Sequence, residues 1–255
     1  MTTPVSVKPH AEPLIIDGGK IGVLLSHGFT GSPASMKPWG QDLADRGYTV
    51  RVPRLSGHGT HWRDLNRVGW DDWYEELDVA LSELRGSCDH VAVCGLSMGG
   101  ALALRLAELR SDDVDALVLV NPAIAMRSWN LRFLPALKYV IPSVPGIGND
   151  IKKPGTDEVG YQRTPLRALH TLVRAWPAIE ADLGKITAPL LMFRSTDDHV
   201  VDATSVGLIQ RGVSSSVAEY ITLTDSYHVA TLDFDAQLIF ERSADFLTQH
   251  LGSPR

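Results

Sequence analysis

Val91-Ala92-Val93-Cys94-Gly95-Leu96-Ser97-Met98-Gly99-Gly100 runs directly into Ala101-Leu102-Ala103-Leu104-Arg105-Leu106-Ala107. A β-branched apolar run, a glycine-flanked serine and an Ala/Leu-rich run predict a buried strand, a sharp turn and a helix, in that order. Gly95, Ser97 and Gly99 fit G-x-S-x-G, a strained strand-to-helix turn that leaves a serine hydroxyl exposed. Strand and helix pass so close on either side of the serine that larger side chains would collide, which accounts for the glycines. The first N–H groups of the following helix lack intrahelical partners and carry partial positive charge, so a developing oxyanion beside Ser97 would be stabilised there. Short glycine–serine patterns arise by chance in a chain with 22 glycines. A working nucleophile therefore requires a base, an acid and a second oxyanion donor elsewhere in the chain.

Composition narrows the classes. With 255 residues, 44% of them hydrophobic, the chain can bury one large core, or a core plus a modest insertion. A net charge of -6 without a long basic run argues against a nucleic-acid partner. Apolar stretches fall short of the length that spans a bilayer, so no transmembrane segment is expected. Met1 to Pro13 lacks the apolar centre of a signal peptide. Cys88 and Cys94 offer neither a disulfide framework nor metal-ligand spacing, and Cys94 reads as a small buried hydrophobe in the central strand. Together these features lead us to expect a cytoplasmic protein. Neither H-E-x-x-H nor G-x-x-x-x-G-K is present, and no metal or organic cofactor is expected.

From residue 14 onward strand-like and helix-like runs alternate, the signature of an α/β domain with a mostly parallel sheet. Strands are predicted over 14–17, 21–26, 48–52, 90–94, 114–120, 189–194 and 217–223, and helices over 33–46, 70–84, 97–110, 204–212 and 233–251. The alternation breaks between 122 and 186, where helical spacing of Leu134, Leu137, Val140 and Ile141 precedes a Pro/Gly loop and a second helical run over 166–183. We read 1–121 and 187–255 as the core and 122–186 as an inserted cap, since a break of this length inside an α/β domain usually carries function.

A serine hydroxyl needs a neighbouring base. His228 falls in the loop after the last strand, at the C-terminal sheet edge where Ser97 also lies and where sites of such sheets form. His10, His90, His170 and His250 have no reason to reach that edge. His58 follows a strand end and is a rival, with a structural role preferred. His199 reads as a solvated loop residue, and His27 as a brace for its own loop. For the acid, Ser195-Thr196-Asp197-Asp198-His199-Val200-Val201 offers two carboxylates. Asp198 is preferred because Ser195 precedes it by three residues and Val201 follows it by three, whereas Asp197 matches only Val200. The oxyanion donors would be the backbone N–H groups of Met98, directly after the serine, and Phe29, in the loop after the second strand. Their side chains are then free to line an acyl pocket.

In His27-Gly28-Phe29-Thr30-Gly31-Ser32-Pro33, Gly95-Leu96-Ser97-Met98-Gly99-Gly100, Asp197-Asp198-His199-Val200-Val201 and Ser226-Tyr227-His228-Val229-Ala230-Thr231-Leu232-Asp233, the chain resembles the bacterial carboxylesterases and monoacylglycerol lipases of the α/β-hydrolase superfamily. The order Ser97, Asp198, His228 is that of the α/β-hydrolases. The resemblance implies an α/β-hydrolase fold and hydrolysis of carboxylic esters or lipids, monoacylglycerols among them, under a small cap. It also places a glycerol-sensing carboxylate near Glu158, where a plain solvent-facing charge is the alternative. The apolar residues Trp129, Phe133, Leu134 and Leu137 suggest either a wall for an acyl chain or packing of cap on core. Rival readings are a C–C bond hydrolase or perhydrolase using the same triad, and a non-catalytic ligand-binding protein of this fold.

Overall fold

The computed structural model describes residues 6–127 and 132–254. Nine strands are defined among them: β1 (Leu14–Ile16), β2 (Ile21–Ser26), β3 (Thr49–Val52), β4 (His90–Leu96), β5 (Ala116–Val120), β6 (Ser143–Pro145), β7 (Arg163–Pro165), β8 (Leu190–Ser195) and β9 (Ala218–Leu223). Seven form one sheet in the order β1-β3-β2-β4-β5-β8-β9. Only β1 runs antiparallel to its neighbour, so the sheet is mostly parallel and carries flanking helices, as the alternation of the sequence predicts. The helices are α1 (Lys37–Asp45), α2 (Trp62–Leu65), α3 (Trp70–Arg85), α4 (Met98–Leu109), α5 (Leu134–Val140), α6 (Leu166–Asp182), α7 (Thr204–Gly212) and α8 (Ala236–Leu251). None is long and apolar enough to cross a membrane.

Strand periodicity sorts the core into two layers. Leu24, Val91, Val93, Leu117, Leu119, Leu190 and Met192 point to the face covered by α3, α4 and α6. Their alternates Val23, Leu25, Ala92, Cys94, Val118, Val120, Leu191 and Phe193 point to the face covered by α1 and α8. Both faces are apolar because helices cover both, the usual condition of a parallel sheet. Cys94 is free and buried in this second layer, and burial pushes its thiol up.

Residues 122–186 add no strand to the central sheet among the described residues. Their β6 and β7 pair with each other, Val144 opposite Thr164. Helix α6 buries Leu172, Trp176 and Ile179 in the core layer that contains α4. Trp129 lies outside the described residues. Leu134 is buried, whereas Phe133 and Leu137 are exposed.

Candidate active site

Four strands deliver the site to one edge. Ser97 directly follows β4, and its backbone sits at φ 56°, ψ -116°, a conformation that costs a non-glycine residue about 1–3 kcal/mol and persists only where its surroundings enforce it. Here the Ser97 N–H donates to Val120 O at 3.0 Å, and Ser97 O accepts the N–H groups of Ala101 and Ala123. The close approach expected around the serine is severe. A Cβ on Gly95 would stand 2.2 Å from Gly99 O, and one on Gly99 would stand 2.1 Å from Ser26 O.

His228 follows β9, and its ring is almost wholly buried. Nδ1 lies 2.9 Å from Asp198 Oδ2, so Asp198 engages Nδ1 and not Nε2. The Asp198 carboxylate is fully buried. Its Oδ1 accepts the N–H groups of Val200 at 2.9 Å and Val201 at 2.8 Å, and its Oδ2 also accepts from Arg194 Nη1 at 2.6 Å. Burial alone would raise this carboxyl. The His228 hydrogen bond and charge, the Val201 N–H and the Arg194 guanidinium outweigh it and hold Asp198 below its ordinary value. Asp197, its rival in the sequence, is exposed.

Ser97 and His228 line one cavity of about 270 Å3, together with Gly28, Phe29, Thr30, Glu158 and Asp150. Its apolar walls come from Met126, Ile147, Leu169, Leu172, Trp176 and Val200. Phe133, Leu134 and Leu137 are not among the lining residues, so the described part of the stripe suggested for an acyl chain serves elsewhere. Helix α6 supplies Leu169, Leu172 and Trp176 because its buried face continues from the core to the cavity. Gly28 presses against Ser97, since a Cβ there would stand 3.4 Å from Ser97 Cβ. Phe29 lines the cavity, whereas the Met98 side chain is wholly buried in the core. The freedom expected of the Met98 side chain is therefore not used.

Within the family models, the serine aminopeptidase S33 model matches residues 20–235. Over 95% of its length the chain is 42% identical to a thermostable monoacylglycerol lipase of Bacillus sp. (strain H-257), covering 96% of that protein. The chain belongs to this hydrolase family. A carboxylesterase of Bacillus subtilis (strain 168) is 26% identical across 92% of the chain and 96% of its own length. A structure described with the metagenome-derived lipolytic enzymes LipS and LipT superposes with a TM-score of 0.93 at 40% identity, covering 96% of this chain and all of that one. The protein is thus an α/β-hydrolase of the carboxylesterase and monoacylglycerol lipase kind, an ester hydrolase and not a silent scaffold.

Several features of this hydrolase's site lie outside its sequence motifs. Glu158 is buried, and its Oε1 accepts the Asn149 N–H at 2.9 Å, while the Glu158 N–H donates to Asn149 Oδ1 at 3.0 Å. Burial raises its carboxyl above the ordinary value, against the pull of the Asn149 bond and the His228 charge. It is thus a held, cavity-lining carboxylate and not a solvent-facing charge. Asp150 carries no motif, yet its Oδ2 accepts the His228 N–H at 3.1 Å and its Oδ1 lies 2.8 Å from His199 Nδ1. This bond raises the His199 imidazole; His199 is exposed, as its loop position predicts, and is also paired with Asp150. Asp233 accepts the N–H groups of Lys152, Lys153 and Tyr227, tying the 149–153 loop to the histidine loop. Two further loop histidines, His27 and His58, stand outside the cavity. His27 is buried, with Nδ1 donating to Gly28 O at 3.0 Å and Nε2 accepting from the Leu55 N–H at 3.3 Å; burial pushes it down to about 4. His58 packs edge-on against His27 and Trp73 and does not line the cavity.

Proposed function

We propose that the protein hydrolyses monoacylglycerols or similar medium- and long-chain monoesters by a Ser97–His228–Asp198 acyl-enzyme mechanism. The observation that carries this reading is the cavity itself. Ser97 and His228 share it with a buried carboxylate, Glu158, and the remaining walls are mainly apolar. An ester with a long acyl chain and a small polyhydric alcohol fits that division: the acyl chain has apolar walls to enter, and Glu158 can accept a hydroxyl of the alcohol. Asn149 occupies Oε1, and Oε2 is the oxygen nearer the Gly31 loop.

In this mechanism Ser97 Oγ attacks the ester carbonyl as His228 Nε2 takes its proton. Asp198, bonded to Nδ1, holds the tautomer and stabilises the imidazolium. The backbone N–H groups of Phe29 and Met98 receive the oxyanion. The imidazolium then protonates the leaving alcohol, and water repeats the sequence on the acyl-enzyme. Residues 122–186 act as the cap: Ile147, Leu169, Leu172 and Trp176 shape the acyl site, and Asp150 keeps the histidine loop in register with it.

The test compares a monoacylglycerol with the methyl ester of the same fatty acid, in wild type and in Glu158→Gln. The wild type should prefer the glycerol ester through KM, and the variant should lose that preference while keeping its rate on the methyl ester. Equal kcat/KM for the two wild-type substrates would refute the glycerol assignment.

A further inference from the structure

We infer that Arg194 is a positioning residue that tunes the basicity of His228, by sharing with it the same oxygen of Asp198. The inference rests on the triad proposed above. Arg194 lies near the end of β8 and is mostly buried, about 19% exposed at its side chain. Nη1 donates to Asp198 Oδ2 at 2.6 Å, the atom that also bonds His228 Nδ1 at 2.9 Å. Its other terminal nitrogen, Nη2, donates to Val201 O at 2.6 Å. One guanidinium therefore clamps both ends of the 198–201 turn, which Asp198 Oδ1 also closes from within by accepting the Val200 and Val201 N–H groups. Among the described residues the buried carboxylate has four donors.

This geometry has a chemical cost and a chemical gain. A triad acid usually offers its negative charge to the imidazolium that forms during attack. Here a guanidinium, which stays charged at every working pH, bonds the same oxygen and neutralises part of that charge. The imidazolium that forms on His228 during attack therefore gains less from Asp198 than it would from a carboxylate bonded to the ring alone, and gives its proton up more readily to the leaving alcohol. Solvent screens the effect little, because Asp198 and His228 are buried. The carboxylates around His228 act in the opposite sense. Glu158 faces it across the cavity. Asp150 accepts its main-chain N–H and is itself paired with His199. Asp197 is exposed on the acid loop. Arg194 is the cation bonded directly to the Asp198 carboxylate among the described residues; Lys152 lies further out, 5.9 Å from the Tyr227 ring and paired with Asp225.

The test measures kcat/KM against pH for a soluble short-chain ester, with Arg194→Gln, Arg194→Met and Arg194→Lys beside wild type and Ser97→Ala. Thermal unfolding identifies which variants are folded. The acidic limb of the profile, which reports the base of the free enzyme, should move up by roughly one pH unit in the Gln and Met variants. In the Lys variant, which keeps a charge but not the two-pronged grip, it should stay near wild type. The Gln and Met variants carry the same readout, so failure of one to fold leaves the other. A folded Gln or Met variant that is slower at every pH with its acidic limb unmoved would show that Arg194 only braces the loop, and would overturn the inference while leaving the triad intact. Retained activity in Ser97→Ala would instead remove the triad reading, and this inference with it.

Discussion

The side-chain amide of Asn121 donates to the main-chain carbonyl of His228 at 2.8 Å. The same nitrogen reaches Ser195 Oγ at 3.0 Å, and Asn121 Oδ1 accepts the Ser195 N–H at 2.8 Å. Ser195 Oγ in turn donates to Tyr227 O. The end of β5 thus links the acid strand to the histidine loop through fully buried groups, with Asn121 itself in the left-handed region at φ 45°, which asparagine tolerates better than most residues.

Asn121→Ala leaves the His228 carbonyl and the Ser195 N–H without their partner. Each buried group left unsatisfied costs about 1–3 kcal/mol, so the melting temperature should fall. The histidine loop would also lose its register, and displacement of a catalytic group lowers turnover on the order of 10- to 100-fold. Steady-state kinetics should show the loss in kcat more than in KM. Unchanged turnover in a destabilised variant would mean that Asn121 supports the fold alone.

The choice between two adjacent acids is open to a direct comparison. Asp198→Asn should lower kcat on the order of 10⁴-fold, as loss of the triad acid does elsewhere, because the amide cannot hold the same imidazole tautomer. Asp197→Asn should leave the rate within about twofold, as expected for an exposed loop charge. Assays of both variants on one ester, with active-site titration by a fluorophosphonate, separate the roles; an inactive Asp197 variant would reverse the assignment.

What the sequence made legible and what it hid divide along physical lines. Long periodic segments such as α3, α4 and α8, and the buried strands β2, β4 and β5, declare themselves because one pattern repeats over several residues. Helix α2, with four residues, and the β6/β7 pair, with three each, are too short to show a period and are held by their surroundings. The turn around Ser97 is legible because sterics demand glycine there. Asp150 and Asn121 are not, since one charge in a Pro/Gly loop and one amide at a strand end become informative only when folding brings them to the histidine loop. Arg194 is hidden for a related reason: its partner, four residues on, is identified only once the 198–201 turn closes.

Glycine substitutions should separate steric necessity from mere proximity. Gly95→Ala and Gly99→Ala would drive a methyl group to within 2.2 Å and 2.1 Å of backbone oxygens, which cannot yield as a flexible side chain would. Overpacking against movable groups already costs about 1–3 kcal/mol, so these two variants should fail to accumulate as soluble protein. Gly28→Ala meets only an ordinary contact, 3.4 Å from Ser97 Cβ, and should fold. Its methyl group would stand 3.9 Å from Ser97 Oγ, crowding the space of the attacked carbonyl, so its ester hydrolysis should fall while its melting temperature holds. A Gly95→Ala enzyme with wild-type stability would contradict the close packing of strand on helix.

A further prediction concerns stability away from the site. Glu108, on α4, has a fully buried carboxylate; Oε2 accepts from Arg105 Nη1 at 2.9 Å and Oε1 is buried with no hydrogen-bond partner among the described residues. Burial pushes this carboxyl up to about 7, against the opposing pull of the Arg105 hydrogen bond and charge. The folded protein therefore holds the Glu108 proton more tightly than the unfolded chain does. That preference stabilises the fold fully below the ordinary value of 4.5 and is lost as pH rises through about 7. Glu108→Gln is neutral throughout and carries no such loss. Melting temperatures of the two proteins, measured from about pH 4.5 to about pH 8, should diverge in favour of the variant as pH rises. Parallel curves would mean that Glu108 ionises in the folded protein as readily as in the unfolded chain, and that the Arg105 pairing compensates its burial in full.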